Sequence, residues 1–326
     1  MTASSNWRAW TLAVLLAVCA AWMTPSNALS QGNFPDKPIR LIVPQAPGSA
    51  TDLLARSVSA EVEVMLNQKI IVENKPGAAF TIGLDLVAKA APDGYTLGMV
   101  VTAHVINPSL RAGLPYDTLK DLAAVTQVSA QQLVIAAHPS LAANNIAELI
   151  ELARRRPGEL SYATPGSGTA MHLSVELLKT TAGINLVHVP YKGGAPAQQD
   201  VMGGRVPILL DVLYAVTPLI DAGKIKVIAL LGPQRTAKYP VVAETVPGVS
   251  AISMVGIVAP SGLKNELLEQ LGSDIAGAVK SSDLTERMKQ LGMEPVGSSP
   301  REFDALIRAE MEKWAKVVKA SGARAD

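Results

Sequence analysis

Between residues 39 and 101 two hydrophobic periodicities take turns. Ile39 to Val43 is a short β-branched run that stops at Pro44, and Asp52 to Leu66 then carries Leu53, Leu54, Val58, Val62, Met65 and Leu66 at helical spacing. Ile70-Ile71-Val72 reads as a second strand, Thr81 to Ala90 as a helix and Tyr95 to Val101 as a third strand. This alternation predicts parallel pairing, because parallel neighbours are joined through a helical crossover. After a turn-rich stretch from Asn107 to Asp121 the pattern resumes, with strands expected at Gln132 to Ala137, Leu160 to Tyr162, Leu186 to Val189 and Ile208 to Asp211. Helices are expected at Ile146 to Arg155, Ala170 to Ala182 and Ala195 to Met202. Val227 to Leu231 and Met254 to Ala259 are again strand-like, and two amphipathic helices, Asn265 to Ser281 and Arg301 to Lys319, finish the chain without new strands. A helical tail needs a sheet to cover, so it is expected to return to the first unit. The expectation is α/β with two lobes, 29–131 plus 256–326 and 132–255, two crossovers near residues 132 and 255, and an interlobe cleft of the kind where small ligands bind.

A length of 326 residues suits two compact units better than one core. Residues are 48% apolar, 17% charged and 4% aromatic, the profile of an ordered protein with an aliphatic interior. A net charge of +1 gives no broad electrostatic footprint for nucleic acid or an acidic membrane, so the partner is a small molecule or another protein. Near the start, Arg8 precedes the apolar run Ala9 to Met23, broken by Thr11, and the small-residue stretch Ser26-Asn27-Ala28 follows. That is the pattern of a signal peptide cut after Ala28, and the run is shorter than the ~20 residues of a membrane span. Cys19 lies inside this segment, so residues from 29 onward contain no cysteine, and disulfides, Cys-ligated metals and thiol nucleophiles are excluded there. Bacterial periplasm is the destination that fits.

Two strand-to-helix turns stand out. Pro44-Gln45-Ala46-Pro47-Gly48-Ser49-Ala50-Thr51-Asp52 places a glycine, two hydroxyls and a carboxylate where a helix begins, and Ser161 to His172, with Thr164, Gly166, Ser167 and Gly168, repeats the arrangement in the second lobe. Free amides and the helix dipole make such turns attractive to anions, although ordinary capping by Ser49, Thr51 or Asp52 explains the same residues. Asp211 ends a strand and could reach the cleft or hydrogen-bond a neighbouring loop; Lys192 could be a contact or a solvated lysine. Gly166-Ser167-Gly168 lacks the spacing of a nucleophile elbow, a dinucleotide fingerprint or a phosphate loop. His104, His138, His172 and His188 are too scattered for a metal site. An enzyme on this scaffold, such as a dehydratase or lyase, would have to draw on Asp52, Asp211 or His172.

Several segments in register carry a resemblance: Phe34 to Pro44 (FPDKPIRLIVP), the Pro47-Gly48 turn with Asp52, Val72 to Ala78 (VENKPGA), Pro92 to Leu97 (PDGYTL), Tyr162 to Gly168 (YATPGSG) and Val189 to Gly193 (VPYKG). Together they make the chain similar to the tripartite tricarboxylate transporter receptors, the Bug family, over nearly all of its length after residue 28. The resemblance implies a type II-like, two-lobed periplasmic-binding-protein fold, monomeric and non-catalytic, that needs no cofactor or metal. It also implies a small organic acid or amide as ligand and a membrane permease of one large and one small subunit as partner. A sensor-kinase ectodomain is the competing partner, since it would use the same ligand-closed form. Carried over by motif, the contacts are Pro47, Gly48, Ser49 and Asp52, then Gly77, Ala78, Ala79 and Phe80, then Thr164, Gly166, Ser167 and Gly168. This chain departs from the family at Ser49, where a second glycine is common, and at Lys75-Pro76-Gly77-Ala78-Ala79-Phe80, where R-P-G-A-G-G is common. Phe80 adds an aromatic face where backbone would otherwise approach the ligand, which turns the expectation towards an aromatic acid or amide.

Overall fold

The computed structural model describes residues 34–233, 235–290 and 293–323. The signal-peptide reading, with Arg8, Cys19 and the cut after Ala28, lies outside the described residues. The chain divides into a unit of Met1–Asp36 and a unit of Lys37–Asp326, and the helices and strands below belong to the second.

In order along the chain these are β1 (Ile39–Val43), α1 (Ala50–Leu66), β2 (Ile70–Asn74), a 3-10 turn at Ala78–Phe80, α2 (Thr81–Ala88), β3 (Thr96–Val101), α3 (Ala103–Leu110) and β4 (Leu122–Ala137). Next come α4 (Ile146–Arg155), β5 (Ser161–Thr164), α5 (Ala170–Ala182), β6 (Val187–Pro190), α6 (Gly194–Met202), β7 (Ile208–Val212), α7 (Leu213–Asp221) and β8 (Lys226–Leu230). The chain ends with β9 (Ile252–Pro260), α8 (Asn265–Val279), α9 (Ser282–Gln290), β10 (Glu294–Pro295) and α10 (Pro300–Ser321).

The described strands form one sheet in the order β2-β1-β3-β9-β4-β7-β5-β6, with β8 and β10 also paired to β4. The parallel sheet expected from the alternation is found at the two ends only, where β1 pairs with β2 and β3, and β5 with β6 and β7. The middle is antiparallel: β9 pairs with β3 and β4, and β7 and β8 pair with β4. The cause is the path of the chain. β4 carries it from one half to the other and β9 brings it back, so the two run in opposite directions. β4 is also longer than the predicted Gln132 to Ala137, since its 16 residues extend about 50 Å at ~3.3 Å per residue. Leu122–Gln132 pair with β9 and Leu133–Ala137 with β7.

The C-terminal tail differs from expectation as well. It holds three helices, and α10 packs against α3, β4 and α8 but also against α5 of the second half. One buried cluster accordingly joins Ile42 and Val100 to Leu133, Leu173, Phe303 and Trp314. α10 begins with a complete capping box between Ser299 and Glu302, with Pro300 in its first turn, which fixes where this strap starts. The Phe303 ring lies directly on Gly256 of β9, where a Cβ would collide with it.

Candidate ligand-binding site

A cavity of about 220 Å³ opens where the strand ends of the two halves meet. Its floor is Gln131 of β4 with Ser253 and Val255 of β9, and its walls are the first turns of four helices. Ala50 and Thr51 come from α1, Thr102 and Ala103 from α3, Thr169, Ala170 and Met171 from α5, and Val212 and Tyr214 from α7. Gln45, Val101 and Phe80 complete the lining. Three larger hollows of 360–430 Å³ lie among helix surfaces, connecting loops and the start of β4, and share no lining residue with this cavity.

None of the lining residues is charged. Each helix nonetheless presents backbone N–H groups that have no acceptor within the helix, and its aligned peptide dipoles place about +0.5 charge at that end. Convergence of helix amino termini on an uncharged cavity therefore makes a site for an anion, held by amides and hydroxyls.

The turns singled out in the sequence surround this cavity, and most of their residues serve to build it. Ser49 caps α1, its Oγ accepting the Asp52 amide at 3.2 Å. Asp52 is buried and its carboxylate is fully engaged: Oδ2 accepts from the Gly48 amide at 2.8 Å and Arg56 Nε at 3.0 Å, and Oδ1 from Asn74 Nδ2 at 2.9 Å. Burial works to raise its pKa, but the bonds from Arg56, Gly48 and Asn74 together outweigh burial and hold it below the usual carboxylate range. Pro47, Gly48 and Ser49 stand beside the lining, which passes instead through Gln45, Ala50 and Thr51. In the second half, Thr164 is buried and its Oγ1 lies 2.7 Å from His188 Nε2, while Thr169 caps α5 by accepting the His172 amide at 3.2 Å. His172 stacks on His188 with ring centroids 3.9 Å apart, and its Nδ1 accepts the Gly168 amide at 3.1 Å. These bonds shape the Gly166-Ser167-Gly168 turn, and the cavity is met one step later, at Thr169 to Met171.

Asp211 is likewise buried behind the wall, with Oδ1 accepting the Val212 amide at 2.8 Å and Oδ2 accepting from Gln198 Nε2 at 2.9 Å. Burial pushes its pKa up, against the opposing effect of those two bonds. Lys192 is exposed and does not line the cavity.

The segment from Gly77 to Phe80 behaves differently. Ala78, Ala79 and Phe80 all have left-handed backbone, with φ of 44°, 49° and 77°, a region costing about 1–2 kcal/mol per residue with a Cβ. It is held by Asn107, whose Nδ2 donates to the Ala79 carbonyl at 2.8 Å, and by Thr81, whose Oγ1 donates to the Ala78 carbonyl at 2.8 Å. Phe80 is the member of this turn that lines the cavity. Gln131, Ser253, Thr102 and Tyr214 were not found by sequence reasoning. Only the polar break Gln131-Gln132 ahead of Leu133 hinted at one of them.

Comparison with known proteins follows the same lines. BugT of Bordetella pertussis (strain Tohama I) is 33% identical over 321 residues, covering 95% of this chain and 98% of that protein. The structure of R. palustris Rpa4515 with adipate is 33% identical, with a TM-score of 0.77 over 90% of this chain and 99% of the other. MatC from Rhodopseudomonas palustris with bound malate is 28% identical, with a TM-score of 0.73 over 87% of this chain and 100% of the other. Residues 54–323 match the family described as "Tripartite tricarboxylate transporter family receptor", and the chain belongs to that family of receptors.

Proposed function

We propose that the protein is exported to the periplasm, holds a small carboxylate or a related amide or aromatic acid in the 220 Å³ cavity, and presents it to a two-component permease. The observation that carries this is the convergence of four helix amino termini on a cavity lined by no charged residue. The organic acids named for two relatives, adipate and malate, support the ligand class. The lobes are 29–131 plus 256–326 and 132–255, and they close about β4 and β9, which cross between them where Gln132 pairs with Ile252. Phe80 touches the ligand directly, while the Pro47-Gly48-Ser49, Gly77-Ala78-Ala79 and Gly166-Ser167-Gly168 turns frame it on closure. Asp52 and Asp211 hold loops with their carboxylates, which supports capture without turnover.

The test is a thermal-shift screen of the protein purified from the periplasmic fraction against carboxylates, aromatic acids and amides. A ligand at 100 times its Kd stabilises the native state by about 2.7 kcal/mol, which raises the melting temperature by several degrees. Stabilisation by an acid recovered chemically unchanged, from a protein whose first residue is Leu29, is the expected result. No hit in any of these classes, or a hit that is consumed, would overturn it.

A further inference from the structure

The floor of the cavity carries polar groups that the protein leaves unused. Gln131 is 7% exposed and lines the cavity, yet its side-chain amide has no hydrogen-bond partner among the described residues. Its cross-strand partner on β9, Ser253, lines the same cavity, and the Ser253 hydroxyl is unpartnered among the described residues too. With no partner among the described residues, the Gln131 amide faces the cavity beside the half-buried Ser253 hydroxyl, and the two mark the place where a ligand can supply the missing bond. Further along the same floor Val101 pairs with Val255, so the surface passes from polar to apolar, with Phe80 and Met171 in the walls.

The charge balance adds a second constraint. Two of the four helix ends already face a carboxylate of the protein's own: Asp52 lies in the first turn of α1, and Asp211 Oδ1 accepts the Val212 amide at the start of α7. Arg56, half in solvent, pairs with the first of these. The ends of α3 and α5 face no acidic residue in their first turns, and at about +0.5 each they match one negative charge. A second carboxylate would enter a cavity whose lining has no cation for it.

We infer that Gln131 is the specificity-determining residue of this cavity, and that its ligand is a monocarboxylate with an apolar body and one uncharged polar group bound to Gln131 and Ser253. This rests on the receptor function proposed above. The volume, about seven waters' worth, admits a single-ring or short-chain acid.

The experiment is calorimetric titration of the exported protein with benzoate, the three hydroxybenzoates, benzamide, the three phthalates and adipate. The best hydroxybenzoate should bind about 10-fold tighter than benzoate, as one added hydrogen bond gives, and tighter than any phthalate or adipate. Gln131→Leu should remove that 10-fold advantage, leave benzoate within about 3-fold, and leave the ligand-free melting temperature unchanged or raised, because no group among the described residues loses a hydrogen bond and apolar surface is added on the cavity floor. Gln131→Glu, of the same size, should abolish benzoate binding at pH 7 while benzamide still binds. Phthalates or adipate binding more tightly than every hydroxybenzoate would overturn the inference and leave the receptor standing. So would an equal loss for benzoate and hydroxybenzoate, or a lowered ligand-free melting temperature in Gln131→Leu. Binding of no member of the panel would overturn the receptor function as well.

Discussion

His104 stands on α3, one residue beyond Ala103 of the cavity wall, and is 2% exposed. Both of its ring nitrogens are without a hydrogen-bond partner among the described residues. Burial pushes its pKa down from 6.5 to about 4, because the imidazolium has nothing there to replace its water. Above pH 6.5 the folded and unfolded chains both carry it neutral, and it contributes no pH dependence. As the pH falls from 6.5 towards 4 the unfolded chain binds a proton that the folded one refuses, so stability is lost through that window. At pH 5 the two values give a factor of about 30, or about 2 kcal/mol, and the loss levels off near 3 kcal/mol below pH 4. Replacing His104 with leucine removes this loss. Urea unfolding of both proteins at pH 7.5 and pH 5.0 measures it directly, since the remaining histidines and carboxylates are common to the pair and cancel. The stability difference in favour of His104→Leu should widen by about 2 kcal/mol at the lower pH. Parallel pH dependences would refute the reasoning and mean that His104 is solvated or paired in the folded protein.

Three further substitutions probe the site's frame. Asp52→Ala deletes the acceptor for Gly48, Arg56 and Asn74 and should cost about 2–4 kcal/mol in thermal or urea unfolding, together with ligand affinity. A cost under about 0.5 kcal/mol would show that the loop holds itself. Ala79→Gly relieves a left-handed alanine that does not line the cavity, and should raise stability by roughly 0.5–1 kcal/mol, seen as a melting temperature about 1–4 °C higher. Gly256→Ala drives a methyl into the Phe303 ring and should destabilise by about 1–3 kcal/mol, with the double variant Gly256→Ala, Phe303→Leu recovering part of the loss in the same unfolding assay.

How much of this was legible in the chain depended on local signals. α5 has the bounds read from its sequence, Ala170–Ala182, because Thr169 supplies the cap and Gly183 the left-handed stop. α4 was equally plain, with Asn145 capping and Glu148 in its first turn. β4 was under-read because a strand in the middle of a sheet, covered on both faces, shows no alternation: Ala123 to Ala130 mixes Ala, Val, Thr, Gln and Ser, and most of it is buried. α3 and α7 were missed for another reason. Each has a proline inside it, Pro108 and Pro218, and neither begins with a capping side chain. At the site the capping residues were conspicuous and the lining residues were not. A helix offers its free amides one or two residues past the cap, where Ala50, Thr51, Ala170 and Met171 look like any first turn. Gln131 gains its meaning from register alone, by facing Ser253 across β9.

The division of labour at the site follows from where the core lies. α3 and α5 bring the two helix ends that carry no acidic residue in their first turns, and both pack against α10. Phe303, Ile307 and Trp314 of that helix belong to the same buried cluster as Val105, Ile106 and Leu173. The turn before α5 also rests on the end of α3, since a Cβ on Gly168 would come within 2.8 Å of Leu110 Cδ1. With both donors packed on a common apolar strap in this conformation, little further ordering is needed there once the proposed lobes have closed. Phe80 is fixed by other means, three left-handed residues clamped by Asn107 of the same α3. Amides of α3 and the aromatic ring are thus referred to one helix, so a ligand of the proposed kind would meet both at a set distance in a cavity lined by no cationic side chain.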